Sequence, residues 1–383
     1  MLASSLISAP ILSPNLRTRR MLNKYLISVK LENARILKAT YKFARILVPL
    51  GITKEQFYKK MEGLEMALQV PISIKHDSGR IFNIKIAEKP LGDDILYDEM
   101  LVTKPLAVPL CTPFGETIFM DFSDEVCCHL LIGGATRMGK TVLLRLIVTH
   151  ILRKTEGKVA FVFLDNKITD LMMFTNIPQI TIGETVSDAI QLLRKVTSEL
   201  DIRKELVKKS GKVDGRHLEP LFVIIDEYGR FADDKTVQDM VTVIAETAGY
   251  LNIHLVIATQ RPDATSAIKP RIKANLVTRF AFTTADEANS QIILGTGDAA
   301  HLGRIQGRAI FMDGFPNTVQ VPYISADFAK ELVKPYVIEP RQTDSREVAA
   351  VSSPVPQAFG ADDFHRIPQS TRNSKSRSKK TGT

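Results

Sequence analysis

The chain has 383 residues, 44% of them hydrophobic, and a formal charge of +9. That length and apolar content exclude a disordered or fibrous chain and suit one large α/β domain with a smaller companion. The cysteines Cys111, Cys127 and Cys128 are odd in number and two are adjacent, which argues against a disulfide scaffold and for a reducing compartment; no His/Cys cluster shows zinc-ligand spacing.

Residues 1–20 read as a flexible leader: they are apolar but lack a leading positive region, and Pro10 and Pro14 interrupt them, so no signal peptide is expected. Lys30 to Val48 reads as helical, because Arg35, Lys38, Lys42 and Arg45 recur at three- and four-residue spacing and would share one face. Such a face can contact nucleic acid or acidic lipid, or be merely solvated. A second helix is predicted over Lys54 to Leu68, and the alternating runs Val70 to Lys75 and Ile81 to Ile86 predict a hairpin. Residues 21–100 thus form a small α+β domain, with the proline-bearing stretch 88–110 as a connector.

From about residue 128, short apolar runs alternate with helical patterns. Leu130 to Ile132, Val159 to Leu164, Leu221 to Ile225, His254 to Ala258 and Thr278 to Phe282 are the candidate strands of a mostly parallel sheet covered on both faces. His129, entering the first of them, reads as a packed core residue. No apolar run approaches the roughly 20 residues that a helix needs to cross a bilayer.

Between the first strand and the next helix stand Gly134, Ala135, Thr136, Arg137, Met138, Gly139, Lys140 and Thr141, a G-x-x-x-x-G-K-[ST] pattern. Glycines there let backbone N–H groups turn inward around phosphate oxygens, and the following helix adds the positive end of its dipole. Lys140 is the candidate for the β- and γ-phosphates and Thr141 for Mg²⁺, so a nucleoside triphosphate with Mg²⁺ is the expected ligand pair. Asp165 and Lys167 follow the second strand and point toward the same edge, without an assignable step.

Thr185-x-x-Asp188 is a capping signature that opens a long amphipathic helix through Val186, Ile190, Leu193, Val196 and Leu200. Leu221 to Ile225 delivers Asp226 and Glu227 at the carboxyl edge of the sheet, where ligands of open α/β sheets collect. Asp226 is read as a Mg²⁺ holder and Glu227 as the base for the attacking water. Gln260, at the end of the next strand, is read as a γ-phosphate sensor. Arg279 is a candidate finger reaching a neighbouring subunit's nucleotide, or a structural ion-pair partner. Arg308 to Phe311 and Thr318 to Val321 predict a closing hairpin, completing a motor domain over 101–338. Residues 339–383 read as a disordered basic tail; after residue 364 it carries Arg366, Arg372, Lys375, Arg377, Lys379 and Lys380 with no acid among them.

Taken in order, His129-Leu130-Leu131 before the phosphate loop, Leu164-Asp165-Asn166-Lys167, Val223 to Glu227, His254 to Pro262 and Ile272-Lys273-Ala274-Asn275 resemble the FtsK/SpoIIIE family of DNA-pumping ATPases over about residues 125–325. Gly307 to Phe311 and Val321 to Ser325 look most like the branch encoded on plasmids, phages and integrative elements. The resemblance implies a RecA-like P-loop NTPase, a homo-hexameric ring with ATP between neighbours, and double-stranded DNA drawn through a central channel. It departs from the family's pattern in Arg137-Met138, where small residues are usual, in lacking membrane-spanning segments, and in a tail short for a winged-helix domain. The expectation is a cytoplasmic DNA translocase serving transfer or segregation of a mobile element, with membrane anchoring and any relaxase or replication contact supplied by partner proteins. Two rivals share the motifs: a protein-export ATPase of the same family, and a replication or partition factor that uses ATP as a switch.

Overall fold

The computed structural model describes residues 13–338 apart from 62, 88–90, 93–94, 99–103, 126, 166–171 and 260–267. In chain order the elements are α1 (Pro14–Ser28), β1 (Arg35–Ala39), β2 (Phe43–Leu47), α2 (Lys54–Met61), α3 (Leu64–Leu68), β3 (Ile72–Ser78), β4 (Ile81–Ile86), β5 (Ala107–Cys111), β6 (Thr117–Asp121), β7 (Leu130–Gly133), α4 (Lys140–Lys154), β8 (Ala160–Leu164), β9 (Ile180–Gly183), α5 (Val186–Ser210), β10 (Leu221–Ile225), α6 (Lys235–Thr247), β11 (Ile253–Thr259), α7 (Pro270–Asn275), β12 (Thr278–Phe282), α8 (Glu287–Leu294), β13 (Arg308–Asp313), β14 (Phe315–Gln320) and α9 (Ala326–Val333). Among the described residues they divide into two compact units, the smaller built on those up to 95 with 110–118 and 318–320, the larger on the rest.

The smaller unit contains an antiparallel sheet in the order β1-β2-β4-β3. Helices α1, α2 and α3 bury Leu22, Leu26, Phe57, Met61 and Leu64 against Ala44, Ile46, Phe82 and Ile84 of that sheet. Helix α1 begins inside the segment read as a leader, with Pro14 in its first turn, where proline's missing N–H costs nothing and its fixed φ suits the helix. The helix expected over Lys30 to Val48 is instead the β1–β2 hairpin, paired antiparallel with Ile36 opposite Ile46. Ala44, Ile46 and Val48 are buried at alternate positions, and this period of two overrides the helical spacing of the charges. The face that Arg35, Lys38, Lys42 and Arg45 would have shared therefore does not exist; Arg45 pairs with Asp77 at 2.6 Å.

In the larger unit the strand order is β13-β12-β7-β11-β10-β8-β9. Strands β12 through β9 run parallel to their neighbours and β13 is antiparallel to β12. All the strands expected from the sequence are present; β9, and outside this run β5 and β6, are additions, β5 beginning within the stretch read as a connector. Alternate residues take opposite faces: Leu131, Val162, Val223, Ile225 and Ile257 join α5 and α6 in one core, while Phe161 stacks on Phe222, 5.5 Å between centroids. Helix α4 is buried around most of its circumference. The start of α5 carries both halves of the capping box, Asp188 N–H donating to Thr185 Oγ1 at 3.1 Å and Thr185 N–H donating to Asp188 Oδ2 at 3.0 Å. Farther along α5, Arg203 and Glu199 form a buried ion pair at 2.7 Å, and Arg203 also donates to the carbonyls of Leu251 and Asn252.

Candidate nucleotide site

The parallel register sets the site. Ile225 lies level with Leu164 on β8 and with Ile257 on β11, and Thr259 lies level with Gly133 on β7. The residues just past these strands, Gly134, Asp165 and Asp226, therefore emerge together at one carboxyl edge, and Asp226 N–H donates to Leu164 O at 3.0 Å.

The phosphate loop turns at Gly134 (φ 139°) and Gly139 (φ 123°), with the exposed Arg137 in the left-handed region between them (φ 63°). A Cβ on Gly134 would lie 2.7 Å from Phe282 Cβ and 3.1 Å from its carbonyl oxygen, and one on Gly139 would meet Gly307 N at 3.1 Å. Both glycines are required by space as well as by φ. The loop is clamped from that side: Ala135 N–H donates to Thr283 O and Gly307 N–H donates to Met138 O, each at 2.9 Å. Lys140 is buried, and its ammonium donates to Gly134 O and to Ala135 O. These are neutral carbonyl acceptors, which a phosphate oxygen outcompetes as a charge-assisted one.

Asp165, Asp226 and Glu227 surround the same edge as Lys140. Burial, then the like charges of Asp165 and Glu227, push the Asp226 carboxyl up to about 6 against the opposing pull of Lys140. Asp226 thus lies in electrostatic range of two carboxylates and one ammonium, but among the described residues no group of three or more such side chains is placed to hold a metal by itself; one carboxylate with a hydroxyl is a donor set that suits Mg²⁺ only together with substrate phosphates and water. Glu227 has φ 55° and ψ 62°, a left-handed conformation that costs a non-glycine residue about 1–2 kcal/mol. Its carbonyl accepts from Arg230 N–H at 3.0 Å, and Tyr228 beside it is buried, which anchors this turn.

The structure thus brings together Lys140, Asp226, Glu227 and Asp165 with the loop 134–141. Arg279 lies elsewhere on β12, level with Leu131; its guanidinium donates to Leu276 O at 3.2 Å and Leu294 O at 3.4 Å. Gln260 and Lys167 fall outside the described residues. His129 is a core residue, its Nδ1 accepting from Leu255 N–H at 3.0 Å, and burial draws its pKa down to about 4. The clamp of Phe282, Thr283 and Gly307 was not found in the sequence; Gly307, placed just before a strand, was the one local signal.

Residues 102–218 match the model of the FtsK/SpoIIIE family. The chain carries an FtsK/SpoIIIE family domain. It is 31% identical over 248 residues to the DNA translocase FtsK of Oceanobacillus iheyensis, covering 57% of this chain and 31% of that protein. It is likewise 31% identical over 247 residues to the DNA translocase SpoIIIE of Bacillus subtilis, again 57% of this chain and 31% of the relative. The chain spans about a third of the length of these curated relatives. Among solved structures, its fold is similar to the pCW3 conjugation coupling protein TcpA in a monomer form with ATPgS (TM-score 0.59, 22% identity, 84% of this chain and 99% of that one). It is also similar to ATPases 2 and 3 of EssC from Geobacillus thermodenitrificans (TM-score 0.55, 14% identity, 64% and 52%). These structural likenesses show the fold alone, mixed α/β with a large, mostly parallel sheet as in P-loop ATPases. Among the described residues no helix is long and apolar enough to cross a membrane.

Proposed function

We propose that this chain is an ATP-driven double-stranded DNA translocase that acts, as a homo-hexamer in the cytoplasm, in the transfer or segregation of a mobile genetic element. The observation that carries the reading is the coupling of Asp226 to Lys140, Asp165 and Glu227 at the mouth of the phosphate loop, in a domain whose relatives are named DNA translocases. Within it, residues 101–338 act as the motor and the residues from the start of α1 at Pro14 to about 100 as the companion domain.

Lys140 leaves the carbonyls of Gly134 and Ala135 for the β- and γ-phosphates, and the inward N–H groups of the loop bind their oxygens. Thr141 and Asp226 would hold magnesium, which would supply charge neutralisation on the phosphate oxygens. Glu227 orients the attacking water and takes up its proton, Gln260 senses the γ-phosphate, and Arg279 acts across a subunit boundary once freed from its own backbone acceptors. The test is an ATPase titration with linear duplex DNA beside light scattering. Stimulated turnover with a hexamer-sized mass is expected; turnover indifferent to duplex DNA overturns the reading.

A further inference from the structure

Between residues 14 and 48 the chain holds nine basic side chains and one acid, Glu32. Helix α1 concentrates this excess: it carries Arg17, Arg19, Arg20 and Lys24 and no carboxylate. At 3.6 residues per turn, Leu16, Arg20, Ile27, Lys24 and Arg17 fall on one arc of about 100°, opposite Leu22 and Leu26, which enter the core of the smaller unit. The arc is solvent-exposed, and its aliphatic members are no exception: Leu16 is 50% and Ile27 54% exposed. Among the described residues no carboxylate forms an ion pair with Arg17, Arg20 or Lys24, and an open groove of about 790 Å³ runs beside the helix.

We infer that this face of α1 docks the chain peripherally on an anionic phospholipid surface. A row of like charges repels a second copy of itself, so the complementary occupant is a polyanion. Phosphate backbones gain nothing from Leu16 and Ile27, whereas the headgroup boundary of a bilayer takes up aliphatic side chains while flanking Arg and Lys stems keep their charges at the headgroups. A helix that binds in the interface plane needs no membrane-crossing length, in keeping with the described helices. This contact is independent of the nucleotide site and gives the chain a lipid contact of its own.

The test is flotation of the purified full chain, without nucleotide, with vesicles of phosphatidylcholine alone and of phosphatidylcholine mixed equally with phosphatidylglycerol. Binding is expected only to the mixed vesicles. Each basic residue near such a surface contributes about fivefold, so the combined variant Arg17→Gln, Arg20→Gln, Lys24→Gln should weaken binding on the order of a hundredfold. The half-exposed aliphatics, replaced together as Leu16→Ser and Ile27→Ser, should weaken it roughly tenfold or more. Both variants change exposed positions and should keep the parental circular dichroism and urea midpoint. Equal binding to neutral vesicles, or none to anionic ones, overturns the proposal. So does an aliphatic variant that binds as tightly as the parent while the basic variant loses retention of duplex DNA, which would make the face a nucleic-acid surface. A lipid-free dimer abolished by either variant would assign it to a second copy instead.

Discussion

Asp226 sits where its charge is opposed, and asparagine at that position isolates the cost. The ordinary aspartate value is 3.8, whereas burial, Asp165 and Glu227 raise Asp226 to about 6. Each pKa unit is worth about 1.4 kcal/mol, so holding Asp226 ionised at neutral pH destabilises the folded chain by about 3 kcal/mol. Between the two pKa values the folded state binds more protons than the unfolded one. Stability therefore falls as pH rises from about 4 to about 6, and the penalty is fully present above that window. Asp226→Asn is uncharged throughout. It is expected to stabilise the nucleotide-free chain by about 3 kcal/mol near pH 7, by about half as much near pH 5, and hardly at all below about pH 4. Urea unfolding across that range, without magnesium or nucleotide, reads the gain directly. The same variant should lose nucleotide hydrolysis, since the destabilising charge is the one proposed to hold the metal. A variant no more stable than the parent at neutral pH, or one whose advantage does not shrink on acidification, refutes the reasoning.

Lys140→Ala should lower nucleotide affinity about a hundredfold, the loss expected for a charged donor to phosphate, whereas Glu227→Gln should retain binding and lose about 10²- to 10⁴-fold in kcat; equilibrium titration with a fluorescent nucleotide separates the two. Gly134→Ala meets both an unfavourable φ and the Phe282 backbone, so it should cost about 3 kcal/mol or more. Gly115→Ala, also at positive φ but with open space around it, should cost only about 1–2 kcal/mol in the same urea assay. Arg203→Met strands Glu199 in the core and should cost about 3–5 kcal/mol, most of it recovered when Glu199→Leu is added.

The candidate nucleotide edge left a signal in the sequence because its residues are contiguous. A glycine turn, lysine and threonine must follow one another to wrap a phosphate, and Asp226 and Glu227 must follow a strand apolar enough to be buried on both faces. The Thr185 capping box was readable for the same reason, since its donors and acceptors lie within one turn. What holds the loop in place is not contiguous. Phe282, Thr283 and Gly307 approach it only because β12 lies beside β7, and Asp165 gains its influence on Asp226 only because β8 lies beside β10. Neither adjacency has a local signature.

The β1–β2 hairpin shows the converse problem, a local signal of the wrong kind. Arg35, Lys38, Lys42 and Arg45 keep helical spacing, yet water solvates a charge equally well on any exposed face, so their periodicity constrains the backbone little. The alternation of Ala44, Ile46 and Val48 is the stronger constraint, because each must leave water and a strand offers them a single side on which to do so. Where charge and apolar patterns disagree on period, the apolar pattern should decide. The same rule explains α1, whose Leu22 and Leu26 are four residues apart and buried, and whose basic and aliphatic arc is left over for something outside the fold.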